Sequence, residues 1–213
     1  MAESLEQPTK HQVKTEETLR VVLDAAERIF VRDGFDKAQI ETIAVEAGRT
    51  KGSVYAHFRN KEEIFFALLE KRVKSRRESV LHSIENLPFE KQIEVFRGLF
   101  VDAVEDENWY ILLLEFKLFA MRNKDASRRM EEIYRLLYGS TVQAFLSQTE
   151  GLAERQKERV LMGMAILRGI PGAVVLEKKL DPALSSPGNR QVLEAIFDSA
   201  LELNELRPRT KRR

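Results

Sequence analysis

With 213 residues, 43% of them hydrophobic and 32% charged, the chain can bury a sizeable core, and its 10 glycines and 6 prolines favour an all-helical protein over a turn-rich one. Its 35 Lys and Arg against 34 Asp and Glu leave a net charge of +1, so binding to a polyanion has to come from a local patch. The absence of cysteine excludes a disulfide framework and a thiolate metal site, no apolar run is read as long enough to span a membrane, and MAESLEQPTK lacks the apolar core of a signal peptide, so the expected compartment is the cytoplasm.

Residues 1–14 are polar and aperiodic and read as a flexible arm. A first helix is expected from Thr15, with Leu19, Val22, Leu23, Ala26, Ile29 and Phe30 at helical spacing, and it should stop at Asp33-Gly34, with Phe35 packed beneath the connection. A second short helix should cover residues 39–47, with Ile40, Ile43, Ala44 and Ala47 inward and Gly48 as the left-handed residue after it. A third is expected over 50–58, capped by Thr50, with Val54 and Phe58 inward. Asn60 and Glu63 have the spacing of a capping box opening a long fourth helix through Ile64, Phe65, Leu68, Leu69 and Val73.

Beyond residue 85 the pattern stays helical. Pro88 should open a helix carrying Ile93, Phe96, Leu99, Phe100 and Val104. Residues 108–121 (NWYILLLEFKLFAM) are too apolar for a surface helix and are expected to be central. A helix over 125–147 should bury Met130, Ile133, Leu136, Leu137, Val142 and Phe145. The next, over 152–179, should kink or break at Pro171. After the loop LDPALSSPGNR, a last helix is expected over 190–205, followed by the basic tail RPRTKRR. No repeat and no two-residue alternation is present, so a sheet is not expected.

The stretch from Ala47 to Lys61 concentrates chemistry. It holds Arg49, Lys51, Arg59 and Lys61 and no acid, interleaved with Thr50, Gly52, Ser53, Tyr55 and His57. A carboxylate there would be repelled by phosphate, helix N-termini offer free amides to anions, and Gly52 removes a side chain where a backbone or base edge must come close. Three short helices with a glycine between the second and third form a helix-turn-helix pattern.

The order Gly34-Phe35, Ile43-Ala44, Ala47-Gly48, Thr50-Lys51-Gly52-Ser53-Val54-Tyr55, His57-Phe58 and Lys61-Glu62 resembles the DNA-binding domain of the tetracycline-repressor (TetR) family over roughly the first 65 residues. The resemblance implies that Thr50, Tyr55, His57 and Lys61 contact phosphates, while Lys51, Gly52 and Ser53 approach base edges. The family usually carries hydroxyls where Ala38 and Gln39 stand, so a phosphate contact there is weakened or passes to the Gln39 amide. Arg49 replaces a small apolar residue and either adds a contact or is simply exposed. Glu41 is read as solvated, with acceptance from a cytosine amino group as the alternative. The cations of Lys71–Arg77 are read as a solvated face. The arm cations Lys10, His11 and Lys14 either stay in solvent or enter an adjacent minor groove.

The same resemblance implies four segments: an arm (1–14), a helix-turn-helix DNA-binding domain (15–62), an effector-binding and dimerisation domain (63–206) and a basic tail (207–213), with about nine helices in all. For an effector pocket the expected residues are Trp109, Tyr110, Glu115, Phe116, Phe119, Tyr134, Tyr138 and Met162, with Met121 and Met164 as further adaptable surface; for each, core packing is the alternative. Glu115 needs a cation, either within the protein or on a ligand. Dimerisation is expected through the last two long helices, by way of Gly163, Ala165, Gly169, Gly172 and Ala173 and the stripe Val192, Ile196, Ala200 and Leu203. The expected partners are a palindromic double-stranded operator, a second copy of the chain and a small apolar or amphipathic effector, with no membrane. A DNA-binding protein of the same fold without an effector is the alternative. No nucleophile–base pair, phosphate loop or metal spacing among His11, His57 and His82 is found, so no enzyme, catalytic residue, cofactor or metal is expected.

Overall fold

A computed structural model describes residues 10–148, 154–185 and 189–201. Among the described residues there are nine α-helices and no strand: α1 (Lys10–Asp33), α2 (Ile40–Glu46), α3 (Lys51–Tyr55), α4 (Lys61–Ile84), α5 (Phe89–Asp102), α6 (Glu107–Arg122), α7 (Lys124–Gln148), α8 (Glu154–Leu180) and α9 (Asn189–Ala200), with 3-10 turns at Ala103–Glu105 and Pro182–Ser185. The chain is all-α. It divides into two compact units, Met1–Arg72 and Val73–Arg213. The expected tail and residues 1–9 of the expected arm lie outside the described residues, as does Leu203; nothing is described of the side chains of Leu137, Val142 and Phe145.

In the first unit α1 begins at Lys10, five residues ahead of the expected start, because no glycine or proline interrupts the chain between Pro8 and Gly34. Lys10–Lys14 are therefore helical rather than an arm. The helix ends where Gly34, at φ 78°, donates its amide to the Phe30 carbonyl at 2.9 Å. Val22, Ala25, Ala26, Ile29 and Phe30 are removed from solvent. Phe30, Phe35 and Phe65 pack as an aromatic trio with ring centroids 4.8–5.8 Å apart. Ile43, Val54, Phe58, Ile64 and Leu68 complete this core. The α2–α3 turn rests on Gly48 at φ +63°, a conformation that strains any residue with a Cβ.

The second unit is built from long helices. Asp106 caps α6, accepting from the Trp109 amide at 3.3 Å, and one face of α6 buries Trp109, Tyr110, Leu112, Leu113, Phe116 and Ala120. Its other face is not central as expected: Leu118 and Met121 are exposed, Met121 by 83%. Leu136 on α7 is likewise exposed rather than inward. Helix α8 continues through Pro171 without a break. The proline ring is buried, and packing on either side of it outweighs the loss of one backbone bond, a penalty of about 3 kcal/mol in an unsupported helix. Arg97 binds Asp198 at 2.7 Å and Arg190 binds Asp102 at 3.1 Å, tying α9 to α5. The Phe100 and Phe197 rings meet at 5.6 Å in the same interface.

Contrary to the sequence reading, α8 is long and apolar enough to cross a membrane by length and composition alone. Its apolarity has two destinations. Val160, Gly163, Leu167, Pro171 and Val175 are buried, while Met162, Ile166, Leu176 and Leu180 line an exposed face.

Candidate functional site

Helix α3 is only five residues long, shorter than the expected 50–58. The backbone keeps turning after it, with the His57 and Phe58 amides both bonded to the Val54 carbonyl at 3.0 Å, before Asn60 starts the next helix. Val54 and Phe58 anchor this segment in the core, and Asn60 has to leave helical geometry to cap α4; together they close α3 early. His57 thus sits in the turn beyond α3, fully on the surface. Thr50 caps α3, its Oγ1 accepting from the Ser53 amide at 3.1 Å, which leaves the hydroxyl proton available to an outside acceptor. Asn60 Oδ1 accepts from the Glu63 amide at 2.9 Å, and Glu63 Oε2 accepts from the Arg59 amide at 2.7 Å, so the box closes one residue further back than the usual reciprocal pair.

The outer surface of this segment gathers Thr50, Lys51, Gly52, Tyr55 and His57 as exposed residues, with Ser53 and Arg49 half-buried and Gln39 exposed at the N-terminus of α2. A Cβ built on Gly52 would meet only Thr50 Oγ1, at 4.0 Å, so nothing within the chain demands glycine there. The cations are not all free. Lys51 forms an ion pair with Glu41 of α2 and lies 5.6 Å from the Tyr55 ring centroid. The ammonium at Lys51 holds the Glu41 carboxyl below its ordinary range, chiefly through their hydrogen bond. Arg49 approaches Glu17 at 4.0 Å. Lys61 turns inward: its Nζ donates to the carbonyls of Phe35 and Asp36, both at 2.8 Å, and lies 4.7 Å from the Phe35 ring centroid. Carbonyls left open at the end of α1 make that the nearest anion-like site, so the Lys61 ammonium clamps the connection against α4 instead of facing outward.

A buried three-helix platform with an acid-free, hydrogen-bonding segment after a left-handed glycine is the arrangement found where residues 22–68 match the family described as bacterial regulatory proteins, tetR family. Over residues 22–68, then, this chain is similar to the TetR family. Over 113 residues it is 32% identical to an HTH-type transcriptional repressor of Mycobacterium tuberculosis, covering 53% of this chain and 56% of that protein, so the chain spans about half the length of this curated relative. Its fold is that of FadR from Bacillus subtilis, solved with stearoyl-CoA, at a TM-score of 0.64 and 22% identity over 86% of this chain and 96% of that one. A putative transcriptional regulator from Saccharomonospora viridis, solved with choline, matches at a TM-score of 0.66 and 19% identity over 86% and 96%.

The second unit contains a cavity of about 390 Å³, at the lower end of the ~300–1,000 Å³ typical of ligand sites. It is walled by the C-terminal half of α4, α5, α6, α7, α8 and α9. Of the eight residues expected to form a pocket, Trp109, Tyr110 and Tyr138 line it. Phe116 is fully buried in the helix core, Phe119 packs on Phe116 at 6.4 Å, and Glu115 is half-buried off the cavity wall. Tyr134 stacks beside Tyr138 at 5.4 Å without reaching the cavity, and Met162 is 63% exposed on the opposite side of α8. Met164, two positions along, does line it.

Three arginines of the cavity wall were not expected there: Arg76 and Arg77 on α4, which were read as part of a solvated face, and Arg168 on α8, which was not singled out. For Arg168 a signal was present. Arg168 is the only charge between Val160 and Leu176, and a lone cation in so apolar a run has to serve something.

Proposed function

We propose that the chain is a homodimeric transcriptional regulator that binds a palindromic operator and is released from it by a small molecule, acting as a repressor in the cytoplasm. The observation that carries this reading is the α3 segment: an exposed, hydrogen-bonding stretch with no acid of its own, its Lys51 paired with Glu41 of α2, anchored on a buried platform by Val54 and Phe58. Thr50, Tyr55 and His57 supply phosphate contacts that position the protein; Gly52, Ser53 and Lys51 face the base edges; Gln39 and Arg49 flank them. Lys61 supports this surface by holding the α1–α2 connection. The name of the M. tuberculosis relative favours repression. The domain limits that follow are an operator-binding part ending near residue 62 and an effector and dimerisation part beyond it.

The dimer surface in this reading is the exposed face of α8. Met162, Ile166, Gly169, Ala173, Leu176 and Leu180 recur at alternating steps of four and three, the spacing of a helix–helix seam, and Met162 and Leu180 are 63% and 79% exposed. Val192, Ala195, Ile196 and Ser199 add an open apolar groove on α9. Gly163 and Gly172 do not belong to this surface: Gly163 abuts Ala200, and Gly172 faces Leu114 and Tyr110, within the chain.

The hollow centre of the second unit favours a ligand-responsive protein over one controlled only by a protein partner. The structural neighbours carry ligands as different as an acyl-CoA and choline, so the fold does not dictate what this cavity holds. A ligand would act by favouring a dimer spacing that no longer fits adjacent major grooves, and a difference of a few kcal/mol between the two states is enough.

The decisive experiment selects bound duplexes from a random DNA pool and titrates the winner at several salt concentrations. A palindromic consensus with affinity falling steeply with salt is expected, and Ile166→Glu should yield monomers by sedimentation that bind the half-site weakly. Salt-insensitive or undetectable binding to every duplex ends the proposal.

A further inference from the structure

The cavity in the second unit has an uneven charge. Its wall includes three guanidinium groups, on Arg76, Arg77 and Arg168, and not one carboxylate. Among the described residues, none of the three forms an ion pair with an acid. Elsewhere in the described chain arginines are routinely paired, as Arg97 with Asp198 and Arg190 with Asp102 in the same unit. Arg168 is instead positioned by aromatic faces, its guanidinium 5.0 Å from the Tyr138 ring centroid and 5.8 Å from that of Tyr134.

A guanidinium does not lose its proton at physiological pH, so it cannot escape burial by becoming neutral. Arg77 is exposed, but Arg76 and Arg168 are half-buried; set in a largely apolar wall without a counter-charge, these two favour an anion. The same corner offers hydroxyls. Burial raises the pKa of both Tyr110 and Tyr138, and Arg76 lies close enough to counter this at each. Both phenols therefore remain protonated donors. The opposite part of the wall is apolar, including Phe96, Phe100, Met164 and Phe197.

We infer that the effector of this cavity is an amphiphilic organic anion, with a carboxylate or phosphate head held by Arg76, Arg168 and the Tyr110 and Tyr138 hydroxyls and an apolar body lying against the phenylalanine wall. This rests on the reading of the cavity as an effector site. A planar guanidinium grips either head group through two parallel N–H···O bonds, whereas a cationic head group meets only like charge. The cationic ligand considered for Glu115 has no place here, since Glu115 is not on the wall.

The chain's single tryptophan, Trp109, lines the cavity and reports its occupancy by fluorescence. Four probes with one ten-carbon chain are titrated into the full-length protein: decanoate, decyl phosphate, decanol and decyltrimethylammonium. At least one anion should bind about tenfold or more tighter than decanol, the margin expected of a charge-assisted contact, and the better anion names the head group. Decyltrimethylammonium should bind no better than decanol. Arg168→Gln and Arg76→Gln should each bring the anion down towards decanol while leaving decanol unchanged, and Arg168→Lys should keep part of the preference. If a glutamine variant fails to fold by circular dichroism, the head-group series on the unaltered protein decides. Decanol or the ammonium binding as tightly as both anions overturns the inference and leaves the effector site standing. No response to any of the four overturns the effector-site reading as well.

Discussion

The two units put their chemistry on opposite sides of their helices. In the first, α1, α2, α3 and α4 close around the aromatic trio of Phe30, Phe35 and Phe65, and Thr50, Lys51, Tyr55 and His57 lie exposed on that solid base while Lys61 turns inward. Three of its cations are already occupied: Lys51 by Glu41, Arg49 by Glu17, Lys61 by two carbonyls. In the second, long helices leave a hollow and turn three arginines towards it without acids to meet them. A surface that must fit a stiff, regular partner gains from rigid backing and side chains held in place. A cavity that must tell one small molecule from another gains from charge left unmatched until the ligand arrives.

The solid base is the feature with the largest expected effect. Phe30→Ala removes a ring with no solvent exposure and close neighbours on all sides, and should cost about 3–5 kcal/mol in chemical denaturation. Phe96→Ala on the cavity wall, where the ring is half-buried, should cost distinctly less, since the void it would leave is partly there already. Equal losses would mean that the second unit is packed as tightly as the first and that the contrast between them is wrong.

That contrast also governs what could be read from the sequence. The features of the first unit are local. Gly48 after α2, Thr50 bonded to the Ser53 amide and Asn60 to the Glu63 amide involve partners within a few positions, so spacing alone revealed them. What escaped there was side-chain pairing across helices: Lys61 reaches back to carbonyls at Phe35 and Asp36, and Lys51 reaches across to Glu41. In the second unit the cavity draws on helices far apart in the chain. Helix α8 is apolar nearly all round, so its periodicity does not say which face turns inward. Met162 and Met164 look alike in the sequence, yet one is exposed and the other meets the cavity. Helix α6 was expected to be central for the same reason: NWYILLLEFKLFAM contains enough apolar residues to bury either side, yet Leu118 and Met121 lie on the surface.

Helix α8 allows the contrast between closed and open surfaces to be tested within a single element. A Cβ at Gly163 would lie 1.9 Å from the Ala200 carbonyl oxygen, which is backbone and cannot swing aside. Gly163→Ala must therefore push α9 away from α8, and should cost about 1–3 kcal/mol as overpacking does. Gly169, two turns on, has nothing within 4 Å of the same added atom. Gly169→Ala should raise stability by about 0.5–1 kcal/mol through helix propensity alone, read as a shift in the thermal midpoint. In the dimer proposed above Gly169 lies on the seam, so sedimentation should accompany the melts. A stabilised monomer would show that close approach at Gly169 is what holds the two copies together.

The smallest effect concerns the occupied cations of the first unit. Both partners of the Glu41–Lys51 pair are exposed, so the pair adds little to stability and acts mainly on what Lys51 can reach. Glu41→Gln should free the ammonium and remove a charge that repels phosphate. Affinity for duplex DNA should rise a few-fold, and the slope of log affinity against log salt should steepen by about one counterion. Lowering the pH should do the same to the unaltered protein, but late. Because Lys51 depresses the Glu41 pKa, the carboxylate persists as pH falls through the ordinary carboxylate range and is protonated only below it. Around neutral pH the two proteins should therefore differ in gel-shift titrations. The opposite result is informative too. If Glu41→Gln weakens binding and alters the preferred operator, Glu41 is itself reading a base, and its pairing with Lys51 is a resting arrangement that DNA displaces.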